Sequence, residues 1–463
     1  MYSCILSRVE KNLGGEKEEM KTKIATLLGI AIVLCSLFLV ATLPATAIEQ
    51  SQTTQKVSAP GGVTTASEDD YVLDIYGNAN EDDTIDMRDL TYVKLIFFGK
   101  KPVTELADAK YDGKINPLDF VQIKMIIVGK EKELTIVDSA DRTVTVKKPV
   151  ERIIPCMPPI AEAIQVLDAV DEVVGVSYVI TGEYKKADKS RSFPILSKLP
   201  SVGGHPVDYE TVLSLNPDVV IEYVHKRPDD LQEHLPGVPV LGLSFFDIRL
   251  MKEEMQKLGY ILDKEAEAEE YLEWYEENVN TIKDRIDSLS DDEKPRIYYG
   301  GHGNFYKTRT NGGRLLLGVM AGGRNIAADL PGASRYGSVT VDPEWVIEQN
   351  PDVILVTAWA GVNGAYATDD PSGIKEVWDS VINRPELANI AAVKNGKVFI
   401  GHYDLELAPS CVAALAYLAK QLHPDLFDDL DPQAIHQEYV DRFKRIDFNV
   451  YEHGVFVYPP LED

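Results

Sequence analysis

An internal repeat restricts the fold more than any other feature of the chain. Residues 207–221 read VDYETVLSLNPDVVI and residues 341–355 read VDPEWVIEQNPDVIL, with eight of fifteen positions matching at an offset of 134. Each copy opens on an Asp suited to cap a helix and continues through one and a half to two helical turns. It then turns at Asn-Pro-Asp and ends in an apolar strand. Two lobes of similar topology are the simplest account of this duplication. Between the copies, Asp263–Leu289 contains no Gly or Pro. Leu272, Tyr275, Val279, Ile282, Ile286 and Leu289 fall at alternating spacings of three and four, which makes one apolar stripe along a helix. At 1.5 Å per residue such a helix runs on the order of 40 Å, a stiff link between two lobes with a cleft between them.

Around the repeat, TVTVK (143–147), RIIPC (152–156), VVGVS (173–177) and DVVIEY (218–223) read as strands, as do VPVLGL, RIYYG, DVILVT and KVFIG further on. Helix-length segments between them predict α/β layering with mainly parallel sheets. The formal net charge is -27. A surface that negative repels phosphate backbones and anionic headgroups, which argues against nucleic-acid binding. Cys4, Cys35, Cys156 and Cys411 have neither metal-ligand spacing nor the density of a disulfide scaffold. Cys156 and Cys411 fall on opposite lobes and are expected to be inert thiols.

The N-terminal segment reads as an address. Met20, Lys21 and Lys23 precede an apolar run from Ile24 to Leu43 and the ending Pro44-Ala45-Thr46-Ala47, the three-part pattern of a secretory signal. The run is also long enough to span a bilayer, so a retained anchor competes with cleavage, and Met20 competes with Met1 as the start. Either way the remainder lies outside the cytoplasm. Residues 48–70 are rich in Ser, Thr, Gln and Gly and read as a flexible linker.

Residues 78–100 and 108–130 repeat one another at an offset of thirty. The first loop offers Asn78, Asn80, Asp82, the carbonyl of Thr84, Asp86 and Asp89; the second offers Asp108, Asp112, the carbonyl of Lys114, Asn116 and Asp119. Oxygen donors at loop positions 1, 3, 5, 7, 9 and 12 suit a hard, many-coordinate cation such as calcium. Lys110 takes position 3 of the second loop, and Asp83 replaces the usual Gly at position 6 of the first. A short acid at position 12, two tandem loops and one apolar helix after each resemble the dockerin family over residues 71–131. The resemblance implies a small all-α domain of paired EF-hand-type loops that binds a cohesin-type protein.

Residues 133–463 look like the iron-siderophore/cobalamin class of solute-binding proteins that feed ABC importers. The resembling segments, in family order, are ERIIPCMPPIAEAIQVLDAVDEVVGVS, VGG-x-x-VDYE…NPDVVI, the long helix, and AGGRNIAAD…SVTVDPEWV…NPDVILV. The resemblance implies two Rossmann-like α/β lobes joined by a single long helix. It divides the rest of the chain into an N-terminal lobe (132–262), the helix (263–290) and a C-terminal lobe (291–463), preceded by the dockerin-like domain (71–131), the linker (48–70) and the signal or anchor (1–47). It further implies a permease dimer as partner, docked through one acid per lobe, and by motif position these are Glu210 and Glu344. On charge placement alone, the same two acids read as helix N-terminal carboxylates.

No GxSxG elbow, HExxH pair, Walker loop or strand-linked GxGxxG occurs, so no enzyme is expected. Strand-end loops nominate Tyr178 and His205 on the first lobe, and Phe305, Tyr306, Arg309, Arg335, Trp359 and Tyr403 on the second. Aromatic walls with an Arg or two suit a bulky chelate bearing carboxylate or phosphate oxygens, so ferric siderophores, corrinoids or haem are expected before bare oxyanions. The competing reading is an interaction protein recruited to a surface assembly through its dockerin-like module.

Overall fold

A computed structural model describes residues 71–461, except 187, 225, 226, 302, 332–336, 360 and 408. The signal or anchor run and the linker lie outside the described residues. Two helices, α1 (Met87–Phe97) and α2 (Pro117–Ile127), come after the paired loops, and each starts with a reciprocal capping box. The loops repeat one hydrogen-bond pattern. Asp89, fully buried, accepts the backbone N–H of Asn80 (3.1 Å) and Asp86 (2.8 Å), while Asp119, also fully buried, accepts those of Lys110 (2.9 Å) and Asn116 (2.7 Å). The left-handed position of the first loop is not Asp83. It falls at Glu81 (φ 56°), matched by Tyr111 (φ 51°) in the second, whose Gly113 is also left-handed at 82°. Arg88 engages Asp82 (3.1 Å) and Asp86 (2.9 Å), offsetting the charge of the first loop.

Backbone hydrogen bonds and a shared core stitch this region to the first lobe. The hairpin β1 (Glu133–Val137) and β2 (Thr143–Lys147) receives Tyr76 and Asp74 alongside β1 through Tyr76 N–H to Thr135 O (2.9 Å) and Val137 N–H to Asp74 O (2.9 Å). Leu73, Ile75 and Ile123 belong to one apolar core with residues of that lobe.

The first lobe carries a three-stranded parallel sheet in the order β3 (Ile153–Pro155), β4 (Val219–Glu222), β5 (Val240–Gly242). Segment 173–177 forms only isolated bridges, Ile153 to Val173 and Val176 to Ser201, rather than the expected strand. Helix α3 (Pro158–Val166) follows β3, the short α4 (Tyr178–Thr181) begins the cleft loop, α5 (Tyr209–Ser214) precedes β4 and α6 (Arg227–His234) follows it. Helix α7 (Met251–Leu262) stops at Asp263, which is left-handed (φ 55°). Lys148 donates to the carbonyls of Tyr260 (2.6 Å) and Ile261 (2.9 Å) there, capping the helix end. The long helix α8 then runs Glu265–Ile286, 22 residues, shorter than the sequence reading because the chain turns at Asp263 and again after Asp287. Five of the six stripe residues are buried along it, Leu289 lies past its end and is half-buried, and Tyr271 and Trp274 widen the stripe.

The second lobe has a five-stranded sheet in the order β12, β11, β10, β6, β8. These are β6 (Arg296–Gly300), β8 (Arg324–Asn325), β10 (Val353–Ala358), β11 (Val398–His402) and β12 (Val457–Tyr458), with β7 (Lys307–Arg309) and β9 (Ser338–Thr340) pairing separately. Around it lie α9 (Gly313–Met320), α10 (Pro343–Gln349), α11 (Ser372–Ile382), α12 (Ala391–Lys394), α13 (Tyr403–Glu406) and α14 (Cys411–Leu422).

The two repeat copies fold alike. Helices α5 and α10 end on left-handed Asn216 (φ 46°) and Asn350 (φ 45°). Asp218 and Asp352 then donate their N–H to the carbonyls of Arg152 (2.8 Å) and Arg296 (2.9 Å). Those arginines clamp the helix ends, Arg152 through Leu215 O (2.6 Å) and Arg296 through Gln349 O (2.6 Å).

The chain does not stay within the second lobe. Helix α15 (Pro432–Tyr439) continues as one π turn to Lys444 and returns to α3. There the Lys444 Nζ lies 2.6 Å from Glu162 Oε2 and the Tyr439 hydroxyl donates to Glu162 Oε1 (2.7 Å), all buried. Lys444 also sits 4.9 Å from the ring centres of Phe193 and Tyr366. His436, fully enclosed beside Tyr366 (2.9 Å), is pushed down to about 3 by burial and then by Lys444. Its folded value lies below the ordinary 6.5, so its contribution to stability is complete above pH 6.5 and is lost as pH falls from there toward 3. Glu254, raised to about 7 by burial, acts in the opposite direction below neutrality. A parent-versus-variant comparison isolates the histidine: urea midpoints between pH 4 and 7 should fall less steeply with acid in His436→Leu than in the parent.

Candidate functional site

Candidate groups follow the carboxyl ends of parallel strands on both lobes, β4 and β5 on the first and β10 and β11 on the second. On the first lobe, the Tyr178 ring packs over Gly204, where a Cβ would collide with it, and approaches Tyr184 (centroids 5.2 Å, 49°). Arg227, just past β4, donates to Gly204 O (2.9 Å) and stands 3.3 Å from Glu222 Oε2. Glu222 is fully buried at the end of β4, and burial raises its carboxyl while Arg227 pulls it down. His205, exposed in the same turn, is lowered by desolvation and by Arg227. Tyr223 and Phe246, at the ends of β4 and β5, form a half-buried aromatic pair (4.3 Å). Burial lifts the Cys156 thiol well above its usual value, and Cys156 and Cys411 are both free and buried.

On the second lobe, Trp359 follows β10, is 38 % exposed, and stacks on Tyr403 (6.2 Å, 22°). A strap of the first lobe, described at 184–186 and 188–193, reaches across to these groups. Lys185, left-handed at φ 53°, lies against Gly361, where a Cβ would stand 2.6 Å from its Cδ. Lys189 Nζ donates to Tyr403 OH (3.2 Å) and to Asp404 Oδ2 (2.7 Å), and Arg191 pairs with Asp369 (3.0 Å). Burial alone would raise the Asp404 carboxyl, but Lys189 holds it low, and Asp404 in turn raises the ammonium.

Of the nominated residues, Tyr178 is linked to the Trp359–Tyr403 pair through Tyr184, through Lys185 at Gly361 and through Lys189, while His205 stays exposed in the turn beside Tyr178. Phe305 is a core residue, only 4 % exposed, wedged beneath Gly300 and against Tyr298 (5.3 Å). Tyr306 donates to Glu386 Oε1 (2.6 Å) under Arg384, a grouping apart from Trp359, and burial with Glu386 pushes its hydroxyl up to about 12. Arg309 ends β7, half-buried. Arg335 lies outside the described residues. Sequence reasoning missed Tyr184, Lys185, Lys189 and Arg227. The run YKKADKSR was the available signal, a basic stretch in a strongly acidic chain.

Among the described residues, no three His, Cys, Asp or Glu side chains converge as a metal site, and no helix is long and apolar enough to cross a membrane.

The profile of the family described as Periplasmic binding protein matches residues 157–405, more than half of the chain, and the protein belongs to that family. Its members bind solutes and are not enzymes, and membership implies a location outside the cytoplasm. The chain is 26% identical over 341 residues to an uncharacterised ABC transporter substrate-binding lipoprotein, YvrC, of Bacillus subtilis, covering 70% of this chain and 96% of that one. It is 25% identical over 346 residues to the molybdate-binding protein MolA of Haemophilus influenzae (68% and 91%) and 26% identical over 301 residues to a cobalamin-binding protein of Halobacterium salinarum (62% and 73%). Its fold matches the TroA-like periplasmic binding protein FepB from Veillonella parvula with a TM-score of 0.57 at 23% identity, covering 70% of this chain and 98% of that one.

Removing Lys189 should expose the importance of the strap. Lys189→Met leaves Asp404 buried without its counter-charge and should cost about 3–5 kcal/mol in denaturant unfolding, whereas Lys189→Met with Asp404→Leu should recover most of the loss.

Proposed function

We propose that this solute-binding protein serves an ABC importer whose cargo is a metal chelate: a ferric siderophore, a corrinoid or haem. The observation that carries the reading is the cleft edge, where Tyr178, Tyr184 and Trp359 offer aromatic faces beside the cations Lys185 and Arg227. Large aromatic faces suit a broad ligand, and cations suit its peripheral oxygens. The names of the molybdate- and cobalamin-binding relatives agree with metal-related cargo. Glu210 and Glu344, exposed in the first turns of α5 and α10, are the docking acids for a permease dimer. The test is tryptophan fluorescence titration with ferric siderophores, cobalamin, haem and molybdate. A chelate should give saturable quenching that Trp359→Phe diminishes and Arg227→Gln weakens about tenfold. Binding of molybdate alone would overturn the chelate assignment, and no binding by any of them would overturn the receptor reading.

A second role belongs to residues 71–131. Nine of the fifteen exposed large hydrophobic side chains among the described residues lie there, including Met87, Phe98, Leu118 and Val121, a surface suited to a protein partner of cohesin type. Calcium would be held in the first loop by Asn78, Asn80, Asp82, the Thr84 carbonyl, Asp86 and Asp89. The donors are all oxygens, as calcium requires, but their carboxylates do not converge in this structure, so binding would have to draw Asp82 and Asp86 away from Arg88. The Asp89 carboxyl is raised to about 6, chiefly by desolvation. Asp108, Asp112, the Lys114 carbonyl, Asn116 and Asp119 would hold a second ion more weakly, because Lys110 stands among them. The folded Asp89 value lies above the ordinary 3.8. Its ionisation therefore costs stability that is absent below pH 3.8 and fully felt above pH 6. Calcium should raise the melting temperature at pH 7 more than at pH 4.5, and Asp89→Ala should remove most of that response. An unchanged melting curve at pH 7 would contradict calcium binding.

A further inference from the structure

The two repeat helices share more than their acids. Three residues after Glu210 stands Leu213, and three residues after Glu344 stands Ile347, equivalent positions at the offset of 134. Both aliphatic side chains are exposed, Leu213 at 45 % and Ile347 at 38 %. Among the described residues, four other large apolar groups on the two lobes are as exposed as Ile347, namely Ile195, Val319, Trp359 and Tyr451, and no two of these are related by the offset of 134. Residues three apart on a helix are neighbours, so each lobe presents an acid and an aliphatic group side by side. The opposite face of each helix is anchored by a buried Val, Val212 at 1 % and Val346 at 0 %. The C-terminal ends are clamped by Arg152 and Arg296, which fixes the direction of each exposed face.

We infer that Leu213 and Ile347 are paired apolar anchors, one per lobe, that seat beside the docking acids in a permease dimer. This inference rests on the docking reading of Glu210 and Glu344. A partner that fits has two symmetry-related or pseudo-symmetric sites, each with a cation bordering an apolar depression. The duplication fits that partner, because two equivalent acid and aliphatic pairs, one per lobe, match a partner with two equivalent sites. The division of labour comes from the chemistry. The exposed acids steer and orient the encounter, and the desolvated aliphatic groups slow dissociation.

The test uses the full chain and the importer of its source organism, purified as permease and ATPase in lipid nanodiscs, with association followed by surface plasmon resonance. Leu213→Ser with Ile347→Ser should weaken association about a hundredfold, mainly through faster dissociation, while melting temperature and chelate titration stay at parent values. Leu213→Met with Ile347→Met should restore binding. Glu210→Gln with Glu344→Gln should act mainly on the association rate and its salt dependence. If the charge variant weakens binding and the serine variant does not, the anchors are overturned and the docking acids stand. If neither variant weakens binding, the docking reading falls and the anchors fall with it. Sedimentation of the chain alone that shows a dimer lost in the serine variant would overturn the inference by assigning the anchors to self-association.

Discussion

Two ion pairs buried between the lobes, Lys444 with Glu162 and Lys189 with Asp404, constrain the rest of the molecule. An unpaired charge in either place carries a desolvation penalty of several kcal/mol, so the lobes cannot part without separating charges in a medium that screens them poorly. The long helix α8 holds the lobes from behind, and these pairs hold them from within. The cleft is consequently a preformed edge, with aromatic faces already placed on both sides. Binding to such an edge costs less ordering than closing an open hinge.

The same constraint joins capture to delivery. Trp359 stacks on Tyr403, and Tyr403 rests against Lys189 of the opposite lobe. A ligand bound at the proposed aromatic edge would touch a group fixed by the seam. The proposed docking pairs of α5 and α10 lie one on each lobe, and the seam would hold the spacing between them constant. A two-fold permease can read that spacing only if it does not fluctuate. Under the proposed docking, rigidity is part of the recognition.

How much of this was legible in the sequence depends on the range of each interaction. The repeat, the strands after Asn-Pro-Asp and the stripe of α8 depend on local pattern, and they appear where periodicity places them. The pairing of Lys189 with Asp404 spans 215 residues and that of Lys444 with Glu162 spans 282, and no local spacing announces either. Phe305 and Trp359 are both aromatic residues at strand ends. Only the neighbouring Gly300, whose bare backbone admits a ring, turns Phe305 inward and makes it core. Segment 173–177 has strand composition, yet its backbone is shared between two isolated bridges, so tertiary context overrode propensity. The module at 71–131 showed its loops in sequence, but its seating on the hairpin through Tyr76 and Asp74 is again long-range.

The claim of a fixed interlobe geometry is tested most directly by double electron–electron resonance between one spin label on each lobe, at Ser214 and Glu348. The account predicts a single narrow distance distribution in the parent, unchanged when a bound chelate is added, and a broadened one in Lys189→Met with Lys444→Met. A parent distribution that is broad, or that shifts to a new maximum on ligand addition, would contradict it.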